Sequence, residues 1–158
     1  MRYAIIVAAL FLCHAAIARE PYITYDKFEG VTKIIGGAPQ KEGSPGLTFL
    51  AVVKNKKLRE LTMGVDSKSD EWRYLKCRSL AWLINGKRVV VGEPEYDGDV
   101  GYKGVYEHLY VNLSRHLLQQ MSVASSIEYK VCNDEIAVTD EGLENIQDFA
   151  LSVDDALR

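Results

Sequence analysis

Short runs of alternating hydrophobic and polar residues dominate the first half of the chain, and this pattern predicts strands rather than helices. Val31 to Ile35 is a short predicted strand and Leu47 to Lys54 a stronger one, with the Gly- and Pro-rich segment Gly36 to Gly46 as a loop between them. A basic turn then leads into the alternating run Leu58 to Val65, which predicts a hairpin. The polar stretch from Asp66 to Glu71 predicts the next loop.

Asn85-Gly86 is the strongest turn signal in the chain, because both central residues of a type I′ turn need a positive φ. The register of this turn predicts strands from about Tyr74 to Ile84 and from Lys87 to Glu95. Apolar pairs would then continue into pairs of opposite charge on one face, which stabilises a sheet. The predicted pairs are Trp82–Val89, Leu80–Val91, Arg78–Glu93 and Lys76–Glu95.

A second hairpin is predicted at Asp97-Gly98, another dipeptide that suits a two-residue turn. It would add a third strand over the alternating run "GVYEHLYVN", residues 104 to 112. Pro94 cannot donate a backbone hydrogen bond, so we expect the middle strand to be kinked or bulged there.

Helical spacing appears towards the C-terminus. Ser114 is the predicted N-cap of a helix near 114–125, and Thr139 that of a C-terminal helix with one apolar face. Between them, residues 126 to 131 predict a strand that returns through a tight turn. The whole pattern predicts an α+β fold: an antiparallel, hairpin-rich sheet with a helix near 114–125 and a C-terminal helix packed on it.

The N-terminus has the three parts of a secretory signal peptide. Arg2 precedes an apolar run from Tyr3 to Ala18, which ends in small residues. The alternative is a retained membrane anchor, but the run is shorter than the roughly 20 apolar residues that a spanning helix needs. We therefore expect a signal peptide at 1–18, cleavage after Ala18, a secreted or periplasmic protein, and a single α+β domain at 19–158 without a transmembrane segment.

Length and charge limit the class of protein. Removal of 18 of the 158 residues leaves 140, enough for one domain to bury a core without metal ions or dense disulfides. Loss of Arg2 changes the net charge from −3 to −4. Because nucleic acids attract positively charged surfaces, this acidic balance argues against nucleic acid as the partner.

Two cysteines remain after cleavage, Cys77 and Cys132. Exported chains meet oxidising conditions, so an even pair predicts one disulfide. The alternative is a free thiol at Cys77, made reactive by the neighbouring Lys76 and Arg78.

Acidic residues at alternate positions from Glu93 to Asp99 suggest a metal or catalytic site. The run lacks the third acid and the final Glu of an EF-hand loop, which leaves Asp97 and Asp99 as weak candidates for an all-oxygen metal site. Glu93 and Glu95 have cationic partners in the predicted hairpin, so we interpret the run mainly as an exposed edge. We expect no cofactor.

The mature chain contains His108 and His116, without the C-x-x-C or H-E-x-x-H spacing of a zinc site. Together with Glu107, they are the candidates for the acid–base site of a secreted or periplasmic hydrolase, with a further carboxylate from Asp97 or Asp99. No serine lies in a G-x-S-x-G elbow, and no nucleotide-binding fingerprint is present.

Aromatic residues crowd the central segment, and exposed rings in exported domains bind sugars, peptides or proteins. The alternative is that these rings fill the core. The sequence favours a non-catalytic binding module with an unknown protein or small ligand as partner; the alternatives are the hydrolase and an inhibitor or assembly factor whose loop Gly36 to Gly46 inserts into a partner. The candidate ligand-binding residues are Trp82, Tyr96, Tyr102 and Tyr106.

Overall fold

The computed structural model describes residues 20–38 and 43–158. The predicted signal peptide and its cleavage site lie outside these residues. The elements in chain order are β1 (Tyr22–Asp26), β2 (Val31–Ala38), β3 (Gly46–Lys54), β4 (Lys57–Ser69), β5 (Leu80–Ile84), β6 (Lys87–Val89), β7 (Glu95–Gly101), β8 (Gly104–Asn112), α1 (Arg115–Ser122), β9 (Ile127–Val131), β10 (Asp134–Ala137) and α2 (Asp140–Ala156).

The α+β fold is confirmed, with two antiparallel sheets in place of the single predicted one. The large sheet has six strands in the order β1-β2-β3-β4-β8-β7, and the small sheet has four in the order β10-β9-β5-β6. Both predicted helices form at the predicted caps: the Ser114 side chain accepts from the Leu117 amide, and the Thr139 side chain accepts from the Gly142 amide. Within the described residues, neither helix has the length and apolar composition needed to cross a membrane.

One contiguous core joins buried residues of both sheets and both helices, and α2 packs on β2 and β3 of the large sheet. We call the core side of the large sheet its inner face and the opposite side its outer face. On the inner face, the Phe49 ring lies 5.4 Å from the Phe149 ring of α2, centroid to centroid. Gly36 lets α2 approach β2, because a Cβ at this position would lie 2.8 Å from Cδ2 of Phe149.

The Asn85-Gly86 hairpin is confirmed, since Trp82 pairs with Val89 and both turn residues have a positive φ. The predicted extension is wrong: β5 begins at Leu80 and β6 ends at Val89, so the more distant predicted pairs do not form. Leu80 pairs with Val131 of β9 instead. The cause is tertiary, because the segment before β5 is held by side-chain contacts described below rather than by a strand partner.

The predicted turn at Asp97-Gly98 does not form, and the predicted loop from Asp66 to Glu71 forms only in part. Gly98 lies inside β7 opposite Glu107, and the chain turns between Gly101 and Gly104. A Cβ at Gly98 would lie 2.7 Å from the Trp72 ring, so this glycine permits close packing rather than a turn. The predicted loop 66–71 is also wrong over its first part, because β4 continues to Ser69 through pairing with β8.

The predicted disulfide is confirmed. Cys77 and Cys132 are bonded, with their Cα atoms 5.9 Å apart. The bridge joins the segment that precedes β5 to the turn that follows β9. It therefore closes the end of the small sheet at which β5 and β9 pair.

Candidate functional site

The outer face of the large sheet exposes several of the residues that the sequence marked as candidates. Strand β8 alternates between the two faces, with Val105, Glu107, Leu109 and Val111 buried in the core. The residues between them, Tyr106, His108 and Tyr110, are exposed or half-buried on the outer face. One strand therefore anchors the core and presents the candidate site.

Three aromatic residues of β8 lie directly opposite three acidic residues of the edge strand β7. The pairs are Tyr110–Glu95, His108–Asp97 and Tyr106–Asp99. In the first pair, the Tyr110 hydroxyl donates to Oε2 of Glu95 at 2.9 Å, and this hydrogen bond raises the pKa of Tyr110. We call this set of six residues the aromatic–acid ladder. It borders a surface cavity of about 350 Å³ that also contacts Asp66.

The neighbouring strand β4 holds the His108 side chain in place on the outer face. Its Nδ1 is hydrogen-bonded to Oδ1 of Asp66, the residue directly opposite in the β4–β8 register. Because the acceptor is a carboxylate, Nδ1 carries the proton and Nε2 is the basic nitrogen of the neutral ring. The other Asp66 oxygen accepts from the Thr48 hydroxyl. No described residue forms a hydrogen bond with Nε2 of His108.

Packing fixes the plane of the His108 ring as well. Its centroid lies 5.2 Å from that of Tyr110, and the two rings are stacked. On the neighbouring strand, Gly64 leaves the space that the ring occupies, since a Cβ at this position would collide with the imidazole. The imidazole is therefore positioned by one hydrogen bond, one stacked ring and the missing side chain of a glycine.

We expect His108 to titrate above its ordinary pKa of 6.5, chiefly because of the hydrogen bond to Asp66, with the Asp97 charge adding to the effect. The charged ring is favoured in the folded state, so the stabilisation is complete below the unfolded pKa and disappears as the pH rises through the folded pKa. NMR titration of the ring should show the high midpoint, and Asp66→Asn should lower it. Asp99→Asn is the matched control; an equal effect of both variants would contradict the role of Asp66.

Glu107 and His116 are not brought to His108. The Glu107 side chain points to the inner face, where it is 2% exposed and accepts hydrogen bonds from the backbone N–H groups of Arg73 and Tyr74 and from the Tyr96 hydroxyl. Its contacts secure the segment before β5 against the large sheet. His116 lies on α1, and its Nε2 is hydrogen-bonded to Gln120 within the same helix.

The four aromatic candidates are spread over three environments. Trp82 is 1% exposed and stacks on Tyr129 with centroids 5.1 Å apart, so it belongs to the core. Tyr96 is half-buried, and burial together with its hydrogen bond to Glu107 raises its pKa. Tyr102 is fully exposed in the turn between β7 and β8, and Tyr106 is 43% exposed on the outer face. Only the last two are available to a large ligand.

The metal candidates Asp97 and Asp99 are exposed, and each accepts a hydrogen bond from the next backbone N–H, at 2.9 Å from Gly98 and 2.7 Å from Val100. Within residues 20–38 and 43–158, no three His, Cys, Asp or Glu side chains are arranged to hold a metal ion.

A larger concavity, of about 530 Å³, lies on the exposed face of the small sheet. Ala81, Leu83 and Ala137 form its apolar floor. Its charges are partly matched internally, since Lys130 pairs with Glu135 at 2.6 Å and thereby lowers the pKa of Glu135. Unlike the aromatic–acid ladder, it contains none of the candidates with an exposed side chain.

Comparison of the chain with protein-family models, with curated proteins and with solved structures gave no match. The function of the candidate site is therefore inferred from its geometry alone.

Sequence reasoning missed Asp66 and Thr48. The alternation in "LTMGVDSK" was a usable signal, because it places Gly64 and Asp66 on the face opposite to Leu61, Met63 and Val65. The pairing of β4 with β8, which brings Asp66 to His108, cannot be read from local sequence.

Proposed function

We propose that this protein is an exported, non-catalytic binding domain that takes its ligand on the outer face of the large sheet. The observation that carries the proposal is the aromatic–acid ladder, in which three rings of β8 lie opposite three carboxylates of β7 on an open sheet face. The disulfide supports export, because such bridges persist in oxidising compartments.

The chemistry of the ladder favours a cationic ligand. Carboxylates form ion pairs with ammonium and guanidinium groups, and the ring faces of Tyr106 and Tyr110 attract the same groups through cation–π interactions. The protein itself shows this preference: Nζ of Lys68 lies 5.7 Å from the Tyr106 ring centroid. Asp66 lines the same cavity as Asp97 and Asp99, and its two oxygens are hydrogen-bonded to His108 and Thr48.

The spacing of the ladder favours an extended ligand. Successive pairs are two residues apart along each strand, which corresponds to roughly 6.6 Å. Alternate side chains of an extended peptide have the same separation. A peptide with Lys or Arg at alternate positions would therefore place one cation at each pair.

The test is isothermal titration calorimetry of the exported protein with such a basic peptide, which measures the dissociation constant at low and at high salt. Asp97→Asn combined with Asp99→Asn should weaken binding about tenfold, because each exposed ion pair contributes up to about 1 kcal/mol. The matched control is Glu128→Gln with Glu135→Gln, which removes two acids from the small sheet and should leave the affinity unchanged. Equal affinity for an acidic peptide, or equal loss in both double variants, would contradict the proposal.

A hydrolase is the second candidate because Asp66 orients His108 with Nε2 directed away from its carboxylate. Such a carboxylate–imidazole pair can remove a proton from water or a substrate hydroxyl. In a screen of ester, amide and glycoside substrates, activity should increase with pH as His108 loses its proton and should disappear in His108→Ala. Full activity after replacement of both His108 and His116 by Ala would eliminate this candidate.

A further inference from the structure

The two edges of the large sheet differ in how they are protected against pairing with another strand. Edge strands expose backbone groups that can recruit a further strand unless charges, prolines or caps prevent it. On β7, the side chains of Asp97 and Asp99 occupy the amides of Gly98 and Val100, and the strand is acidic. These features disfavour strand addition at that edge.

The opposite edge, β1, is less protected, because Asp26, the one acid in the strand, accepts from the amides of Phe28 and Glu29 in the following turn rather than from an amide of β1. Among the described residues, β1 pairs only with β2, and the strand contains neither proline nor lysine. Large apolar side chains are exposed on it and in the turn that follows. They are Tyr22 (66%), Ile23 (54%), Tyr25 (67%) and Phe28 (89%). An edge of this kind is suited to accept a strand.

We propose that the outer edge of β1 pairs antiparallel with β1 of a second copy of this chain, with the two-fold axis at Thr24. The strand is self-complementary in this register. Ile23 lies opposite the partner subunit's Tyr25 on one face, and this apolar pair occurs twice by symmetry. The two large sheets become one continuous sheet.

The other face of the strand supplies a polar pair. Tyr22 lies opposite the partner subunit's Asp26 in the same register. Oδ1 of Asp26 already accepts hydrogen bonds from the backbone N–H groups of Phe28 at 2.9 Å and Glu29 at 3.1 Å. Its Oδ2 accepts no hydrogen bond from the described residues and can accept one from the tyrosine hydroxyl of the second copy.

The area available fits a weak dimer. A buried aromatic side chain covers about 150–250 Å², so complete burial of the exposed parts of these four side chains in two subunits would cover at most roughly 1,000 Å². Specific interfaces start at about 1,200 Å² in total, and the backbone of the paired strands adds to the side-chain area. Interfaces at or below this size are typical of weak association, and we set the dissociation constant of the proposed dimer at roughly 1–100 μM.

The experiment is sedimentation velocity over a concentration series, with the full chain expressed with its own leader and recovered from the exported fraction. The wild type should change from monomer to dimer. Thr24→Lys and Thr24→Glu should each be monomeric, because each places two like charges directly opposite one another at the two-fold axis. An equimolar mixture of the two variants should dimerise again, because a mixed dimer places a lysine opposite a glutamate at the two-fold axis. An arrangement in which residue 24 does not lie opposite its own copy does not predict this recovery.

Val100→Lys on β7 is the matched control, since Val100 is 63% exposed on the protected edge, and it should dimerise like the wild type. Thermal melts of each variant test whether it is folded. A wild type that stays monomeric up to about 500 μM, well above the dissociation constants expected for this area, overturns the proposal. So does a mixture of the two Thr24 variants that remains monomeric. Protection of the β1 amides only on addition of another exported protein would replace the second copy with a different partner and also overturn it.

Discussion

Replacement of both Cys77 and Cys132 by serine should lower the free energy of unfolding by about 4 kcal/mol. The bridge spans a sequence separation of 55 residues, so its removal returns considerable conformational entropy to the unfolded chain. It also releases the end of the small sheet, where β5 and β9 meet. Urea denaturation of the wild type and the double variant measures the difference directly.

Reduction of the wild type with dithiothreitol is the control for this prediction, since it breaks the same bond without changing the sequence. Both treatments should shift the urea midpoint by the same amount. A loss of less than about 1 kcal/mol would mean that the unfolded chain already keeps the two segments close together.

Trp82→Ala should destabilise the protein by about 3–5 kcal/mol, because it empties a fully buried site that stacks on Tyr129. The indole N–H has no hydrogen-bond partner among the described residues, so the cost comes from lost packing rather than from a lost hydrogen bond. Thermal and urea denaturation provide the measurement.

Tyr106→Ala is the contrasting variant for Trp82. Tyr106 is 43% exposed on the outer face, so its removal should change stability by less than about 1 kcal/mol while weakening the binding of a basic peptide. If Trp82→Ala were as stable as the wild type but failed to bind ligand, Trp82 would be a contact residue despite its burial.

Local signals predicted the elements whose geometry is determined locally. The caps at Ser114 and Thr139 and the turn at Asn85-Gly86 were correct because each depends on residues within one turn of the chain. The Asp97-Gly98 turn failed because the same dipeptide serves a tertiary purpose: Gly98 makes room for the Trp72 and Tyr96 side chains. A glycine signal alone does not distinguish these two uses.

The candidate site was only partly predictable for a related reason. His108 and the acids of β7 were visible as alternating polar positions, but Asp66 is 42 residues away from His108 in sequence. Its role depends on the register between two long strands. Strand alternation predicts that Glu107 and His108 point to opposite faces of the sheet. Which of the two points to the core depends on the face on which α2 packs, and local sequence does not show that.

The two-sided character of β8 has a consequence for engineering. Its inward residues hold the core, while Tyr106, His108 and Tyr110 reach the opposite surface, so those three positions can be varied without removing a side chain from the core. At 108 the range of tolerated side chains is set by the slot beside Gly64. The chain is therefore a disulfide-linked scaffold on which variants that bind chosen ligands can be selected from small libraries of surface substitutions.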